Sequence, residues 1–331
     1  MIAMIPVAGV GTQLRPHTHT QPKPLIPVAG KPILGHIIES LLEAGITRQI
    51  FVVGYLQDKI QEYVMRDYGE RISPQFVAQE PRRGLAHAIW VAREAMGDDD
   101  ELIINLGDTI FTVDIHRILE LKGSALAVHQ VDDPRKFGIA MLDEKTHVKR
   151  LTEKPSIPTS NLALVGLYKI NEVQLLLKVI EEMMSVEIEP GQEYALTDAL
   201  MEMVNRGVKF QPMTVENWFD CGHKKTLLQT NRILLERQGR EHNYKFHNTV
   251  IIPPVHIAEG CEINHSIIGP YVAIAEGARI NYSVIRNSIL GAYSRLESII
   301  LQNSVIGNDT SLRGKTNSIN IGDNAEIDFE Q

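Results

Sequence analysis

Residues 2–12 read Ile2-Ala-Met-Ile-Pro-Val7-Ala8-Gly9-Val10-Gly11-Thr12. A short apolar run of this length is a buried-strand candidate, and it ends directly in a glycine-rich turn. The same grammar continues downstream. Between 33 and 44, Ile33, Ile37, Ile38, Leu41 and Leu42 fall on one helical face. Residues 49–53 read as the next strand, 87–96 as a helix and 102–106 as a strand. Further helices are predicted at 172–184, 197–206 and 224–237. Strands alternating with helices require crossover connections. The prediction for residues 1–240 is therefore an α/β domain: a Rossmann-like mixed, mainly parallel sheet with helices on both faces.

Near Thr249 the helical spacing stops. Aliphatic residues then recur every six positions, in the rows Val272, Ala278, Val284, Leu290, Leu296; Ile268, Ile274, Ile280; and Ile300, Ile306, Leu312. Ile257-Ala-Glu-Gly260 returns as Ile274-Ala-Glu-Gly277, and aliphatic-glycine steps fall at Gly269, Gly291, Gly307 and Gly322. A fixed short period with one inward aliphatic per unit predicts a parallel β-helix over residues 249–331. Glycine and the many asparagines (Asn264, Asn281, Asn287, Asn303, Asn308, Asn320) suit corners that need positive φ. The polar stretch 238–248 reads as the linker.

The chain has 331 residues, 33 Lys+Arg against 41 Asp+Glu, and a net charge of −8. That balance argues against a nucleic-acid partner, which needs a basic face. Two distant cysteines, Cys221 and Cys261, form neither a disulfide framework nor a zinc pattern, which places the chain in the cytoplasm. The apolar start lacks a basic lead-in and is broken at once by Pro and Gly, so neither a signal peptide nor a membrane span is expected.

The glycines after the first strand let backbone N–H groups approach a polyphosphate. The motif is not the dinucleotide fingerprint, because the third glycine is missing, and it is not a Walker loop, because Gly-Lys-Ser/Thr is missing. Lys23 sits in Pro22-Lys23-Pro24, where two prolines restrict its backbone. A restrained lysine beside such a turn points to triphosphate.

Gly9-x-Gly11-Thr12-x-Leu14, then Pro16, Lys23-Pro24-Leu25 and Lys31-Pro32, resemble the sugar-1-phosphate nucleotidyltransferases, the glucose-1-phosphate thymidylyl- and uridylyltransferases among them. The resemblance runs in order for about 235 residues. The six-residue repeats resemble the left-handed β-helix that many members carry. By resemblance, Ala8, Gly9, Gly11, Thr12, Gln13 and Lys23 lie where the nucleotide phosphates bind. Gln79, Gly84 and Leu85 lie in the base-reading segment, whose Gly84-Leu85-Ala86 favours dTTP or UTP. Gly138, Glu153, Lys154, Val165, Glu193 and Trp218 match sugar contacts. Asp108, in Leu106-Gly107-Asp108, and Asp220, in Trp218-Phe219-Asp220-Cys221-Gly222, match the Mg²⁺ ligands. Lys23, Asp108, Lys154 and Asp220 are then the catalytic set.

The implied reaction joins a nucleoside triphosphate to a sugar 1-phosphate, glucose 1-phosphate first, and releases pyrophosphate. Such transfer depends on positioning and charge stabilisation. One position departs: the family's Gly-Thr-Arg-Leu is Gly11-Thr12-Gln13-Leu14 here. Gln13 cannot supply a cation, and losing such a contact costs on the order of 10²–10³ in rate. On an extended segment Arg15 would share a face with Gln13 and could replace the missing charge. A slow or inactive, nucleotide-sugar-binding regulatory homologue is the alternative.

Other features are open to plainer readings. His17-x-His19 has ligand-like spacing but reads first as solvated. His223 contacts phosphate or begins a helix. Cys221 reads as a small buried thiol. Arg82 and Arg83 flank the base segment as surface, subunit or nucleotide contacts. The acidic run 98–101 reads as a solvated turn. A second alternative makes the β-helix a sugar acyltransferase, but assembly into a homo-oligomer, through the β-helix or the first domain, is the simpler use of its flat faces.

Overall fold

The structure is a computed structural model; it describes residues 1–97, 101–111, 115–189, 191–215, 218–239 and 244–314, with Asp220 described by its backbone alone. The chain divides into two compact units, Met1–Thr230 and Asn231–Gln331. Asp98–Asp100 of the acidic run, part of the linker, and Asn320 and Gly322 of the repeat lie outside the described residues.

In the first unit, β1 (Ile2–Pro6) is followed by α1 (Ile33–Glu43), β2 (Arg48–Val53), α2 (Gln57–Tyr68), β3 (Ser73–Ala78), α3 (Leu85–Val91) and β4 (Leu102–Asn105). Then come β5 (Thr109–Phe111), β6 (Ala125–Gln130), β7 (Ile139–Leu142), β8 (Val148–Thr152) and β9 (Leu162–Ile170). The unit ends with α4 (Val173–Met184), α5 (Leu196–Asn205), β10 (Gln211–Thr214), β11 (Trp218–Asp220) and α6 (Lys224–Gln238), which runs past the division.

The main sheet is ordered β8-β7-β9-β4-β1-β2-β3, with β6 pairing both β9 and β10. β4-β1-β2-β3 is a parallel block. β9 enters antiparallel to β4, which makes the sheet mixed, as predicted. Alternation sends Ile2, Met4, Ile50, Val52, Leu102 and Ile104 into one core with α3, α4 and α5. Ala3, Ile5, Phe51 and Ile103 point to the opposite face and are fully buried too, as are Ile33, Ile38 and Leu41 of α1 and Ile60 and Val64 of α2. Burial on both faces explains why β1 reads as a continuous apolar run.

Three elements differ from the sequence reading. The helix predicted at 87–96 is two helices, Leu85–Val91 and Arg93–Met96, broken at Ala92. α2 has a low apolar content and was not legible. Thr12–Leu14 is a 3-10 turn, not an extended segment. With about three residues per turn, positions 13 and 15 do not share a face, so the geometry offered for Arg15 as substitute does not hold.

The second unit is a parallel β-helix of three four-stranded sheets, consistent with the left-handed type. Val250, Ile267, Val284 and Ile300 stack in register, so successive coils take 17, 17 and 16 residues. Ile268, Ile274, Ile280, Ile285, Leu290 and Leu296 fill the prism. Corner residues adopt positive φ in columns, Asn248, His265, Tyr282 and Ser298 forming one of them. Val284 and Ile300, placed inside by the six-residue rows, point outward, and Ile300 is 83% exposed. Each coil is one or two residues short of three full hexads, so a strict six-residue row slips.

Candidate functional site

A cleft of about 560 Å³ opens at the carboxyl ends of β1, β3 and β4. This is where open α/β sheets bind ligands, and the volume suits a small-molecule site. One wall is the turn after β1. Val7 N–H donates to Val52 O at 2.8 Å, and Tyr55 N–H to Ala8 O at 3.2 Å, which anchors the turn to β2. Gly11 has φ +67, and a Cβ there would lie 2.8 Å from Lys23 Cβ. At Gly9 a Cβ would meet nothing within 4 Å. Its backbone therefore faces open cleft.

Lys23 heads a 3-10 turn, Lys23–Leu25. Its Nζ lies 2.5 Å from Asp108 Oδ2, with side-chain exposures of 13% and 38%. Thr109 Oγ1 donates to Asp108 Oδ1 at 3.3 Å. Gly107 permits this approach, because a Cβ there would stand 2.4 Å from Val7 Cγ1. β11 pairs antiparallel with β5, placing Asp220 opposite Thr109, and Cys221 N–H donates to Asp108 O at 3.1 Å. The two predicted metal carboxylates thus belong to neighbouring backbone positions; the Asp220 side chain lies outside the described residues. Among the described residues no group of three or more His, Cys, Asp or Glu forms a metal cluster. At this end of the cleft Asp108 offers hard oxygen donors, which fits an ion such as Mg²⁺ that takes one or two carboxylates and completes its shell with phosphate and water.

A second wall is the segment after β3. Gln79 is 6% exposed, and its Nε2 donates to Gly84 O at 2.8 Å. Gly84 (φ +103) packs against residue 194, where a Cβ would stand 2.6 Å from Tyr194 O. Ala86 N–H donates to Tyr194 O, and Tyr194 N–H to Arg83 O. These bonds tie the Gln79–Leu85 wall to Glu193, so the two reach the cleft together.

The third wall gathers Lys136, Phe137, Gly138, Glu153 and Lys154. Lys154 N–H donates to Phe137 O, and Leu164 N–H to Gly138 O. Thr197 Oγ1 donates to Glu153 Oε2 at 2.6 Å, and a Cβ on Gly138 would crowd both. Lys154 Nζ stands 3.6 Å from Glu153 Oε1. Tyr168 closes the floor. Burial, with Glu153 and Asp108 nearby, pushes its phenol pKa far up, so it stays a neutral donor.

Of the residues singled out in the sequence, the cleft gathers Ala8, Gly9, Gly11, Lys23, Gln79, Gly84, Leu85, Asp108, Gly138, Glu153, Lys154 and Glu193. Thr12, Gln13 and Val165 do not line it, and Thr12, Gln13 and Arg15 are exposed. Trp218 stands behind the wall: it packs edge-to-face on Phe137 at 5.0 Å, and its buried Nε1–H has no hydrogen-bond partner among the described residues. Arg82 does line the cleft. Tyr168 carried no sequence signal, and Thr197 stood only at the start of the helix predicted at 197–206. His17-x-His19 forms a 3-10 turn, His223 begins α6, and Cys221 is fully buried.

Fold and cleft define an α/β protein with a polar, cation-bearing site at the ends of its parallel strands. The chain belongs to the nucleotidyl transferase family, whose model matches residues 2–237. It is 36% identical over 237 residues to a low-salt glycan biosynthesis nucleotidyltransferase of Haloferax volcanii, covering 69% of this chain and 64% of that one. It is 36% identical over 317 residues to the bifunctional protein GlmU of Methanocaldococcus jannaschii, covering 95% and 72%. A glucose-1-phosphate thymidylyltransferase of Streptomyces antibioticus is 32% identical over 274 residues, covering 80% and 75%. The crystal structure of a "Putative Glucose-1-Phosphate Thymidylyltransferase" from Bacillus anthracis superposes with TM-score 0.62 at 25% identity, covering 74% of this chain and 97% of that one. The chain is a nucleotidyltransferase of the sugar-phosphate type.

Proposed function

We propose that the chain transfers a nucleotidyl group from dTTP or UTP to a sugar 1-phosphate, glucose 1-phosphate first, with Mg²⁺, releasing pyrophosphate. One observation carries this reading: the glycine turn, the Lys23–Asp108 pair and the Glu153–Lys154 wall share a single cleft. Backbone N–H groups at Gly9–Gly11 face the triphosphate. Lys23 offsets its charge, and Lys154, 66% exposed, meets the sugar phosphate. Glu153, held by Thr197, accepts from a sugar hydroxyl. A sugar-phosphate oxygen then attacks the α-phosphorus in line, and pyrophosphate leaves; no protein nucleophile is needed. Asp108 and Asp220 would hold Mg²⁺, which supplies further positive charge to the phosphates.

The test is pyrophosphate release across four nucleotides and several sugar 1-phosphates. Turnover with dTTP or UTP and glucose 1-phosphate supports the reading; turnover confined to other pairs replaces its substrates. A second reading, a slow or regulatory nucleotide-sugar binder, is favoured by Gln13, which is neutral and outside the cleft lining. Tight product binding without turnover would select it.

Cys221 and Cys261 form no disulfide, which supports a reducing cytoplasm. No helix among the described residues is long and apolar enough to cross a membrane. We also propose a homo-oligomer. Its support is the outward aliphatic ladder of Val250, Ile267, Val284 and Ile300 on one β-helix face, where the neighbouring face carries Glu262, Arg279, Arg295 and Glu297. Sedimentation of the wild-type chain tests it.

A further inference from the structure

The Gln79 carboxamide is bonded in a way that fixes which of its atoms can meet a ligand. A carbonyl oxygen only accepts, so the atom 2.8 Å from Gly84 O must be the amide nitrogen. The same nitrogen lies 3.2 Å from Nδ1 of His87. An amide nitrogen only donates, so His87 Nδ1 must be the unprotonated ring nitrogen, with the hydrogen on Nε2. His87 is 6% exposed on α3. Its burial, and the nearby Arg83 charge, lower its pKa and keep the imidazole neutral. Both amide hydrogens are therefore engaged. The atom left to face the cleft is Oε1, which pairs with no described residue.

We propose that His87 is a positioning residue that makes Gln79 an obligate acceptor, so that the site takes a base presenting a ring N–H at that point. Uracil and thymine present N3–H, whereas cytosine presents a lone pair at the same ring nitrogen. The inference rests on the reading of Gln79 as a base contact. Without His87 only the bond to Gly84 O opposes rotation of the carboxamide, and the rotated amide presents Nε2 to the base. Gln79 then donates in some molecules and accepts in others, and the discrimination falls.

The experiment measures dissociation constants for UTP, dTTP and CTP with Mg²⁺ by calorimetry, in the wild type, His87→Leu, His87→Asn and Gln79→Leu. Binding is read in place of turnover, so a slow enzyme can be tested. His87→Leu should lower the CTP-to-UTP ratio of dissociation constants about tenfold, in line with one lost polar discrimination. His87→Asn, whose Oδ1 can stand for Nδ1, should restore most of it. An unchanged ratio in His87→Leu beside a changed one in Gln79→Leu overturns the positioning role. An unchanged ratio in both overturns the base-contact reading itself. If His87→Leu does not fold, nitrogen NMR of histidine-labelled wild type still decides. Nδ1 of His87 unprotonated and Nε2 protonated supports the proposal, and the reverse tautomer overturns it.

Discussion

The Lys23 ammonium and the Asp108 carboxylate lie 2.5 Å apart although 85 residues separate them in the chain. One comes from the loop after the glycine turn, the other from the loop after β4. Their pairing holds the phosphate-side cation at the same point as the proposed metal carboxylate. Without substrate each neutralises the other, which limits the penalty of holding a lysine at 13% exposure.

Substituting either member should therefore separate two functions. Lys23→Met should lower kcat/KM for the nucleotide by about 10²–10³, the usual loss for one transition-state charge contact. Asp108→Asn should abolish the dependence of rate on Mg²⁺ concentration. Steady-state pyrophosphate release at varied Mg²⁺ reads both. A change under tenfold in Lys23→Met would remove Lys23 from the chemistry.

Gln13 is exposed on its 3-10 turn and lies outside the cleft lining. An arginine is longer and can bend over the turn toward the phosphates. Gln13→Arg should raise kcat by about 10²–10³ if the missing charge limits the rate. Equal kcat in both proteins would mean that another cation serves, and Arg82 on the cleft wall is the first to truncate.

Two glycines of the site should respond in opposite ways. Gly84→Ala adds a Cβ at φ +103 against the Tyr194 backbone. Strain of this kind costs about 1–3 kcal/mol, and each kcal/mol is roughly 2–4 °C in Tm for a unit of this size. Gly9→Ala meets nothing within 4 Å, so Tm should hold while nucleotide KM rises, since the methyl stands where backbone faces the cleft. Thermal unfolding beside nucleotide titration checks the pair. A lowered Tm in Gly9→Ala would contradict the open geometry.

Much of this was legible before the structure, for physical reasons. β1 and β2 are buried on both faces, so they read as plain apolar runs. α1 shows one apolar stripe because one side meets the sheet. α2 was not legible because Ile60, Tyr63, Val64 and Tyr68 are a thin stripe among charges. Site residues with special backbone or charge, such as Gly11, Lys23 and Asp108, stood out. Thr197 and Tyr168 did not, because what places them is tertiary: a hydrogen bond to Glu153 and a position on the cleft floor. His87 began the helix predicted at 87–96 without a role, since only the fold brings its Nδ1 to Gln79.

Acid should weaken the fold through His36. Its Nε2 meets Val28 O at 3.0 Å, and its pKa is lowered, by burial first and by Lys31 as well, against the opposing effects of the Val28 bond and Glu39. A lowered folded pKa means that the unfolded chain binds more protons between that value and about 6.5. The contribution is fully present above pH 6.5 and is lost as pH falls below it. His36→Gln keeps a donor for Val28 O and does not titrate. Its Tm should fall less than that of the wild type between pH 7 and 5, and parallel Tm curves would exclude His36 as a source of the loss.

The β-helix separates two isoleucines that the six-residue rows could not. Ile285 is fully buried in the prism, whereas Ile300 starts the next strand and is 83% exposed. Ile300 stacks on Val284, the residue before Ile285, and successive strand residues point to opposite sides of the sheet. Ile285→Ala should destabilise its unit by about 2–5 kcal/mol, the loss for a cavity in a packed core. Ile300→Ala should stay within about 0.5 kcal/mol in a monomer. Hydrogen exchange of the coil amides reads this unit apart from the first. Greater exchange in Ile300→Ala than in Ile285→Ala would mean that the outward ladder is covered in solution, and comparing dilute with concentrated protein would then show whether another copy covers it.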